Sequence, residues 1–350
     1  MPVSIVVGGQ FGSEGKGKVA LEIARRAREP VTVVRVGGPN SGHTGYDHSG
    51  RKWALRQMPA GCIDRNVDVV FPAGSYLDVE LLFAEIDALH YPQERIFISP
   101  HARIISEEHK KWERDAELVS TIGSTGSGVG AAVLATVARE APNIYLTSLD
   151  ARHSAPLEQF LCDTTQKLRS SLVNGCRIII EGTQGFGLSL LESGFWPKVT
   201  SRSTTAAGAL SEAGLSPLDV DDVTMVLRSY PIRVAGQSGP LTHETTWEEI
   251  ARQSGLKMDI REYTTVTKKL RRVGLFEFDL VKRAIDANNP TRIVVNHLDY
   301  IGEIEDIEKK SSAVRRFINS FETKVSRRID WFGFSPLNVI DRSAPVLGAA

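Results

Sequence analysis

Residues 4–18 read SIVVGGQFGSEGKGK, and the punctuation of that stretch decides the fold. Ser4 to Val7 is a short, β-branched, apolar run of the kind that forms a buried strand. Eleven residues later the chain turns amphipathic, and a helix is expected from about Lys18 to Arg28, stopped by Pro30. Val31 to Val36 is the next strand signal. Strand, crossover helix and strand make a βαβ unit, which implies a parallel sheet with helices packed on it. The turn between them, Gly8 to Lys18, is dense in glycine and carries Lys16 and Lys18. Glycines let backbone N–H groups approach an anion, the helix N-terminus adds its dipole, and lysines add charge, so the turn reads as a phosphate site. The spacing Gly12-x4-Gly17-Lys18 half-matches a P-loop, but Val19 stands where the magnesium-binding Ser or Thr belongs. Any metal must therefore find other ligands. The bland alternative is a glycine-rich turn with solvated lysines.

Outward from this unit the alternation recurs. Leu77–Leu89, Pro156–Leu172 and Leu280–Ala287 carry helical patterns, as does the charged region Glu303–Arg328. Arg95–Ile98, Arg177–Ile180, Val223–Val234 (broken by Pro231), Arg292–Val295 and a short stretch near Trp331 read as strands. No repeat, low-complexity tract or Pro/Ser-rich linker divides the chain. The expected fold is α/β: one elaborated domain over 1–350, with a central, mostly parallel sheet flanked by helices and a P-loop-like first βα turn. The 350 residues are long enough for a sizeable core. Lys plus Arg equals Asp plus Glu at 42 each, which argues against a protein built around nucleic acid or a membrane surface. Cys62, Cys162 and Cys176 show neither an even count nor CxxC spacing, so neither a disulfide scaffold nor a zinc site is expected. With no apolar run of membrane length and no signal-peptide pattern at MPVSIVVGG, a cytoplasmic protein is expected, in the host cell if virus-encoded.

GQFGSEGKGK closely resembles the GQWGDEGKGK signature of adenylosuccinate synthetases, which join aspartate to C6 of a purine nucleotide using a nucleoside triphosphate. Further blocks follow in family order: Gly37–Thr44 (GGPNSGHT), Gly123–Gly130 (GSTGSGVG), Glu181–Gly185 (EGTQG) and Val199–Ala206 (VTSRSTTA). The chain is about a fifth shorter than usual for that family. The resemblance implies roles. His43 contacts the transferring phosphoryl group as a protonated or donating imidazole. Lys16 neutralises phosphate charge, and the Gly42 carbonyl holds Mg2+ together with position 13, here Ser13. Gly12, Glu14, Gly15, Gly17, Lys18 and Thr44 complete the nucleotide-phosphate site. Gln184 holds the purine O6 side. Asn40, Ser124, Thr125, Thr200 and Val234 surround the substrate nucleotide. Arg139 aligns with an arginine that the family supplies from the neighbouring subunit, which implies a homodimer with shared sites; its bland alternative is a cation at a helix end. Thr264–Gly274 (TTVTKKLRRVG) resembles the aspartate-binding loop, which assigns Thr265, Thr267, Lys269 and Arg271, with Arg271 as carboxylate anchor. Asn296 and Asp299, with Ser335 and Pro336, fall at the base of the triphosphate, although His297 replaces the family lysine of K-x-D.

One departure redirects the substrate. The family carries Asp at position 13, where its carboxylate takes the purine N1 proton and helps hold magnesium; Ser13 does neither well. N1 lies beside C2, so the smaller residue opens room for the 2-amino group of guanine, and its oxygen can accept from that group. These departures resemble the diaminopurine branch of the family. They imply dGMP, L-aspartate and ATP or dATP as substrates, giving N6-succino-2-amino-2'-deoxyadenylate, a precursor of 2-aminoadenine for viral DNA. Ordinary synthesis from IMP and GTP is the nearest alternative. A nucleotide-binding switch that no longer catalyses is the alternative of another class, and the retained His43, Gln184 and Arg271 argue against it.

Overall fold

A computed structural model of the chain describes residues 2–64, 66–139, 141–255, 259–264 and 268–343. Its centre is a nine-stranded sheet. In chain order the strands are β1 (Val3–Gly8), β2 (Val31–Arg35), β3 (Asp68–Phe71), β4 (Ile96–Ile98), β5 (Arg177–Glu181), β6 (Val220–Arg228), β7 (Arg292–Asn296), β8 (Trp331–Phe332) and β9 (Ile340–Asp341). Across the sheet they run β9-β8-β7-β6-β1-β5-β2-β3-β4, all parallel except the β8–β9 pair. This is the expected α/β architecture.

All six residues of β1 are buried, because helices cover both faces. Val3, Ile5 and Val7 face one core, with Leu168, Leu210, Val281 and Phe321 from four helices. Val6 faces the other, against Val19, Ala20 and Ile23 of helix α1 (Lys16–Arg26). The period-2 split of one strand between two layers pins its register. Each fully buried aliphatic side chain contributes roughly 1.5–3 kcal/mol.

Elements depart from the sequence reading where a polar cap interrupts an apolar pattern. Helix α1 starts at Lys16, two residues early, because Gly15 takes a left-handed conformation (φ 89°) and turns the chain at once. The region Pro156–Leu172 is two pieces, a 3-10 segment Ala155–Phe160 and an α-helix Thr164–Val173. Asp163 divides them by accepting a hydrogen bond from the Gln166 N–H (3.0 Å). Asp78 likewise starts the next helix at Val79, leaving Tyr76–Leu77 as a strand. Ser312 restricts the charged region 303–328 to a helix over Ala313–Val325. β6 ends at Arg228, and beyond Pro231 the pair Ile232–Arg233 joins a separate three-stranded antiparallel sheet with Arg272–Gly274 and Glu244–Thr245. No helix among the described residues is long and apolar enough to cross a membrane.

Strand order places the site. β1 is flanked by β5 and β6; the chain leaves β1 towards β2 on the β5 side and crosses to the other side between β5 and β6, so a crevice opens at the carboxyl ends of these strands. The conspicuous motifs of the sequence all lie there: the glycine loop after β1, Gly37–Thr44 after β2, Gly182–Gly185 after β5 and Asn296–Asp299 after β7.

Candidate active site

The loop after β1 is built around a buried carboxylate. Gly12, Ser13 and Gly15 all have positive φ, which folds Glu14 back beneath the loop. Its carboxylate accepts from the N–H groups of Gln10 (3.1 Å) and Gly12 (2.8 Å) and from Lys16 Nζ (2.8 Å). Lys16 also donates to the Gln184 carbonyl. A Cβ on Gly185 would run into the Glu14 carboxylate and sit 2.7 Å from the Gln10 carbonyl. Gly17 is bare for a similar reason, since a Cβ there would lie 2.9 Å from the His43 Cβ. Glu14 is thus a brace and not a phosphate ligand through its side chain, as its negative charge requires. Asn296 braces the loop from outside, donating from Nδ2 to the Glu14 carbonyl (2.7 Å). It was expected at the donor base; its other amide atom, Oδ1, is buried without a partner among the described residues.

Beside the loop, His43 is 3% exposed. It donates from Nδ1 to Glu181, which also accepts from the N–H groups of Ala60 (3.0 Å) and Gly61 (3.1 Å). Arg35 Nη1 lies 3.1 Å from His43 Nε2, and Arg35 also donates to the Ser41 carbonyl (2.9 Å). Burial first, and then the Arg35 charge, push the His43 pKa down to about 4. The imidazole is therefore neutral, which of the two expected forms, protonated or donating, leaves the donating one, with its Nδ1 proton on Glu181. Thr44 alternates to the opposite, exposed side of its strand and does not join the phosphate residues through its side chain. Arg35 and Glu181 were not singled out in the sequence. The available signal was a charged residue ending an otherwise apolar strand at the ligand-binding edge of a parallel sheet.

A cavity of about 520 Å³ opens on the other side of the loop. Its wall carries most of the residues expected at the two small substrates, Ser13, Asn40, Ser124, Thr125, Gln184, Thr200, Val234, Lys269 and Arg271, together with Gly12 and Gly42 of the expected phosphate and metal site. Asn40 Oδ1 and Gln184 Oε1 are buried there with no hydrogen-bond partner among the described residues. Arg271 donates to the Ser13 hydroxyl, joining the expected carboxylate anchor to the substituted loop position. Thr265 and Thr267 lie outside the described residues. Arg139, exposed at the end of the helix Val129–Ala138, is absent from the wall of this chain's own cavity. Arg56 and Glu113 line the cavity and were missed in the sequence.

The donor-base residues collect at the ends of β7 and β8. Lys18 is not at the phosphate turn as expected: its buried ammonium reaches across to donate to the Ser335 carbonyl (2.9 Å). Burial lowers its pKa to about 8. Asp299 faces that charge, and burial raises its carboxyl to about 6. Pro336 is exposed at the rim of the same turn. His297 is neutral, its pKa driven down to about 3 by burial and by Arg228, and its ring packs 5.1 Å from that of Tyr300. Fully buried Arg228 ties the two ends of the site together. It donates to the Ser13 carbonyl (3.1 Å) and pairs with Glu262, which also accepts from Tyr300 Oη (3.1 Å).

For magnesium the fit is partial. Among the described residues no group of three His, Cys, Asp or Glu could hold a metal. The Ser13 hydroxyl already accepts from a guanidinium, so a second cation there is disfavoured and its metal assignment does not hold in this arrangement. Gly42 is exposed on the cavity wall and suits a hard ion that takes oxygen ligands.

The family model for adenylosuccinate synthetase matches residues 5–151 and 145–313. An adenylosuccinate synthetase from Pyrococcus sp. is 35% identical over 352 residues, covering 98% of this chain and 99% of the relative. One from Methanococcus aeolicus is 37% identical over 336 residues, covering 93% and 94%. Among solved structures, the cyanophage S-2L succinoaminodeoxyadenylate synthetase, bound to dGMP and to dATP as energy donor, superposes with a TM-score of 0.81 at 27% identity, covering 97% of this chain and 95% of that one. A fully ligated adenylosuccinate synthetase from Plasmodium falciparum superposes with a TM-score of 0.84, covering 98% and 100%; at 20% identity it speaks to the fold alone.

Proposed function

The chain belongs to the adenylosuccinate synthetase family of nucleoside-triphosphate-dependent C–N ligases, and from that premise we propose that it joins L-aspartate to C6 of dGMP, with ATP or dATP as phosphoryl donor. One observation carries the choice of nucleotide. The only carboxylate on the cavity wall among the described residues is Glu113, which is fully engaged by backbone amides, and Ser13 stands where the family has its base. N1 carries a proton in guanine and hypoxanthine alike, so the lack of a free carboxylate on the wall does not choose between them; the room that the small Ser13 leaves beside C2 for an amino group does. The likeness to a structure that holds dGMP and dATP supports the same reading.

The chemistry divides between the two ends of the site. Purine N1 gives up its proton to solvent as the γ-phosphoryl group moves to O6, which turns a poor leaving group into phosphate. The aspartate amine then attacks C6, the C6–O6 bond breaks, and phosphate departs with O6. Phosphoryl transfer depends chiefly on positioning and charge neutralisation. Lys16 and the glycine loop orient the donor phosphates, His43 meets the transferring group, and Gln184 holds O6 in place. Arg271 anchors an aspartate carboxylate, leaving Ser13 to do so. Gly42 would hold magnesium together with the donor phosphates, where the ion supplies charge neutralisation. In the proposed homodimer, Arg139 serves the partner's nucleotide.

A substrate matrix tests the proposal: dGMP, GMP and IMP against ATP, dATP and GTP, with L-aspartate and magnesium, reading phosphate release and product mass. Aspartate-dependent product from dGMP with an adenine triphosphate is expected. Product from IMP with GTP alone would return the chain to ordinary adenylosuccinate synthesis, the activity for which the similar archaeal proteins are named. Ser13→Asp is expected to lower kcat/KM for dGMP about tenfold or more, by crowding C2 and holding Arg271 in an ion pair.

A further inference from the structure

The cavity has five cationic side chains on its wall, and they differ in what they already hold. Arg233 spends its guanidinium on the carbonyls of Lys198 (2.7 Å) and Pro240 (3.3 Å). Lys198 donates to the Thr121 carbonyl. Arg271 holds Ser13, and Lys269 sits with it at the aspartate end. Arg56 is different. Its Nε donates to the Pro39 carbonyl (2.9 Å), which fixes the plane of the guanidinium, and no other atom of that group has a hydrogen-bond or ion-pair partner among the described residues. A tethered fork with its outer edge free is a carboxylate or phosphate receptor.

Its neighbours decide which anion. The Gly38–Asn40 turn to which Arg56 is tied packs against the start of the helix Val129–Ala138: a Cβ on Gly38 would sit 2.7 Å from Val129. Arg56 thus shares a wall with Ser124 and Thr125, and the Thr125 hydroxyl, paired with that of Ser127 (2.8 Å), can turn to a phosphate oxygen. The N-terminus of that helix would ordinarily be the anion site here. It is already filled, because Glu113, 2% exposed, accepts from the N–H groups of Gly128 (3.0 Å) and Gly130 (2.7 Å) and from Ser124 Oγ (3.3 Å). A phosphate bound on this wall gains nothing from the helix and must be neutralised by a side chain.

We propose that Arg56 is a phosphate-binding residue for the substrate nucleotide, supplied by the same chain and gripping the 5'-phosphate beside Ser124 and Thr125. The assignment rests on the reading of this cavity as a nucleoside monophosphate site, whichever purine it takes. Affinities for dGMP and deoxyguanosine, and for IMP and inosine, would be measured by calorimetry on the wild type, Arg56→Met and Arg56→Lys. Charge-assisted hydrogen bonds of this kind correspond to about 10- to 100-fold in affinity. Arg56→Met is expected to lose about that factor for the monophosphate and nothing for the nucleoside, with Arg56→Lys recovering part of it. Unchanged monophosphate binding, an equal loss for nucleoside and nucleotide, or an effect confined to the KM for aspartate would each overturn the assignment. If IMP proves to be the nucleotide, the gap between IMP and inosine still reports on Arg56, so failure of the proposed substrate is separable from failure of this residue.

Discussion

His297 shows how one side chain can trade charge for burial. A lysine is the family residue at this position; here a neutral imidazole packs on Tyr300 beside Arg228. Its pKa lies below the ordinary 6.5, so between about 6.5 and about 3 the unfolded chain binds a proton that the folded chain does not. Folding stability must then fall as pH drops through that window, and His43, held neutral in the same way, acts in the same direction. Urea titrations at pH 7.5 and pH 5 are expected to show a smaller loss for His297→Gln than for the wild type; an identical loss would mean the ring is not neutral when folded. At this scale the sequence was informative about identity and silent about direction. Nothing in GQFGSEGKGK says that Glu14 turns inward or that Lys18 reaches Ser335, because positive φ at Ser13 and Gly15 is a property of the assembled loop. Arg56 and Glu113 carry no local pattern, and only their convergence from distant segments reveals them; Arg35 and Glu181 leave just the faint mark of a charge closing an apolar strand.

At the level of elements, the glycines of two loops are explained by one carboxylate. Gly8 ends β1 and Gly185 lies in the loop after β5, yet both are bare because Glu14 lies between them. Gly185→Ala is expected to push that carboxylate off the amides of Gln10 and Gly12. Overpacking of this kind costs about 1–3 kcal/mol. A thermal melt would read the cost, and a fall in kcat should accompany it, since Lys16 is oriented by the same carboxylate. A variant with wild-type melting and turnover would mean the loop relaxes freely. The strands and helices themselves were largely legible. The β-branched runs at Ser4, Val31, Arg177 and Arg292 all became strands of the central sheet, since parallel strands buried on both faces read as continuous apolar runs. Boundaries were missed where Asp78, Asp163 or Ser312 capped a helix inside a longer amphipathic pattern. The small antiparallel sheet that carries the aspartate loop was missed because strands of two or three residues leave no periodicity to detect.

For the whole molecule, the cavity and Arg139 stand apart within one chain, and the proposed dimer reunites them. Variants that lack Arg139 and variants that lack His43 would then damage different sites. When Arg139→Leu and His43→Asn are mixed and allowed to exchange subunits, half of the dimers are hybrids, and each hybrid holds one site free of both changes. Activity should recover to about a quarter of the wild-type level; no recovery would show that each chain completes its own site. The bridge from Tyr300 through Glu262 to Arg228 and the Ser13 carbonyl has a consequence of a different kind. In the proposed reading it joins the turn expected at the donor's base to the segment expected at the amino acid, so the two ligands would share one mechanical support. Whatever factor the triphosphate contributes to holding aspartate, aspartate must return to the triphosphate in equal measure. In a cell the two pools would then be sensed as a product, and scarcity of either would loosen the enzyme's grip on both.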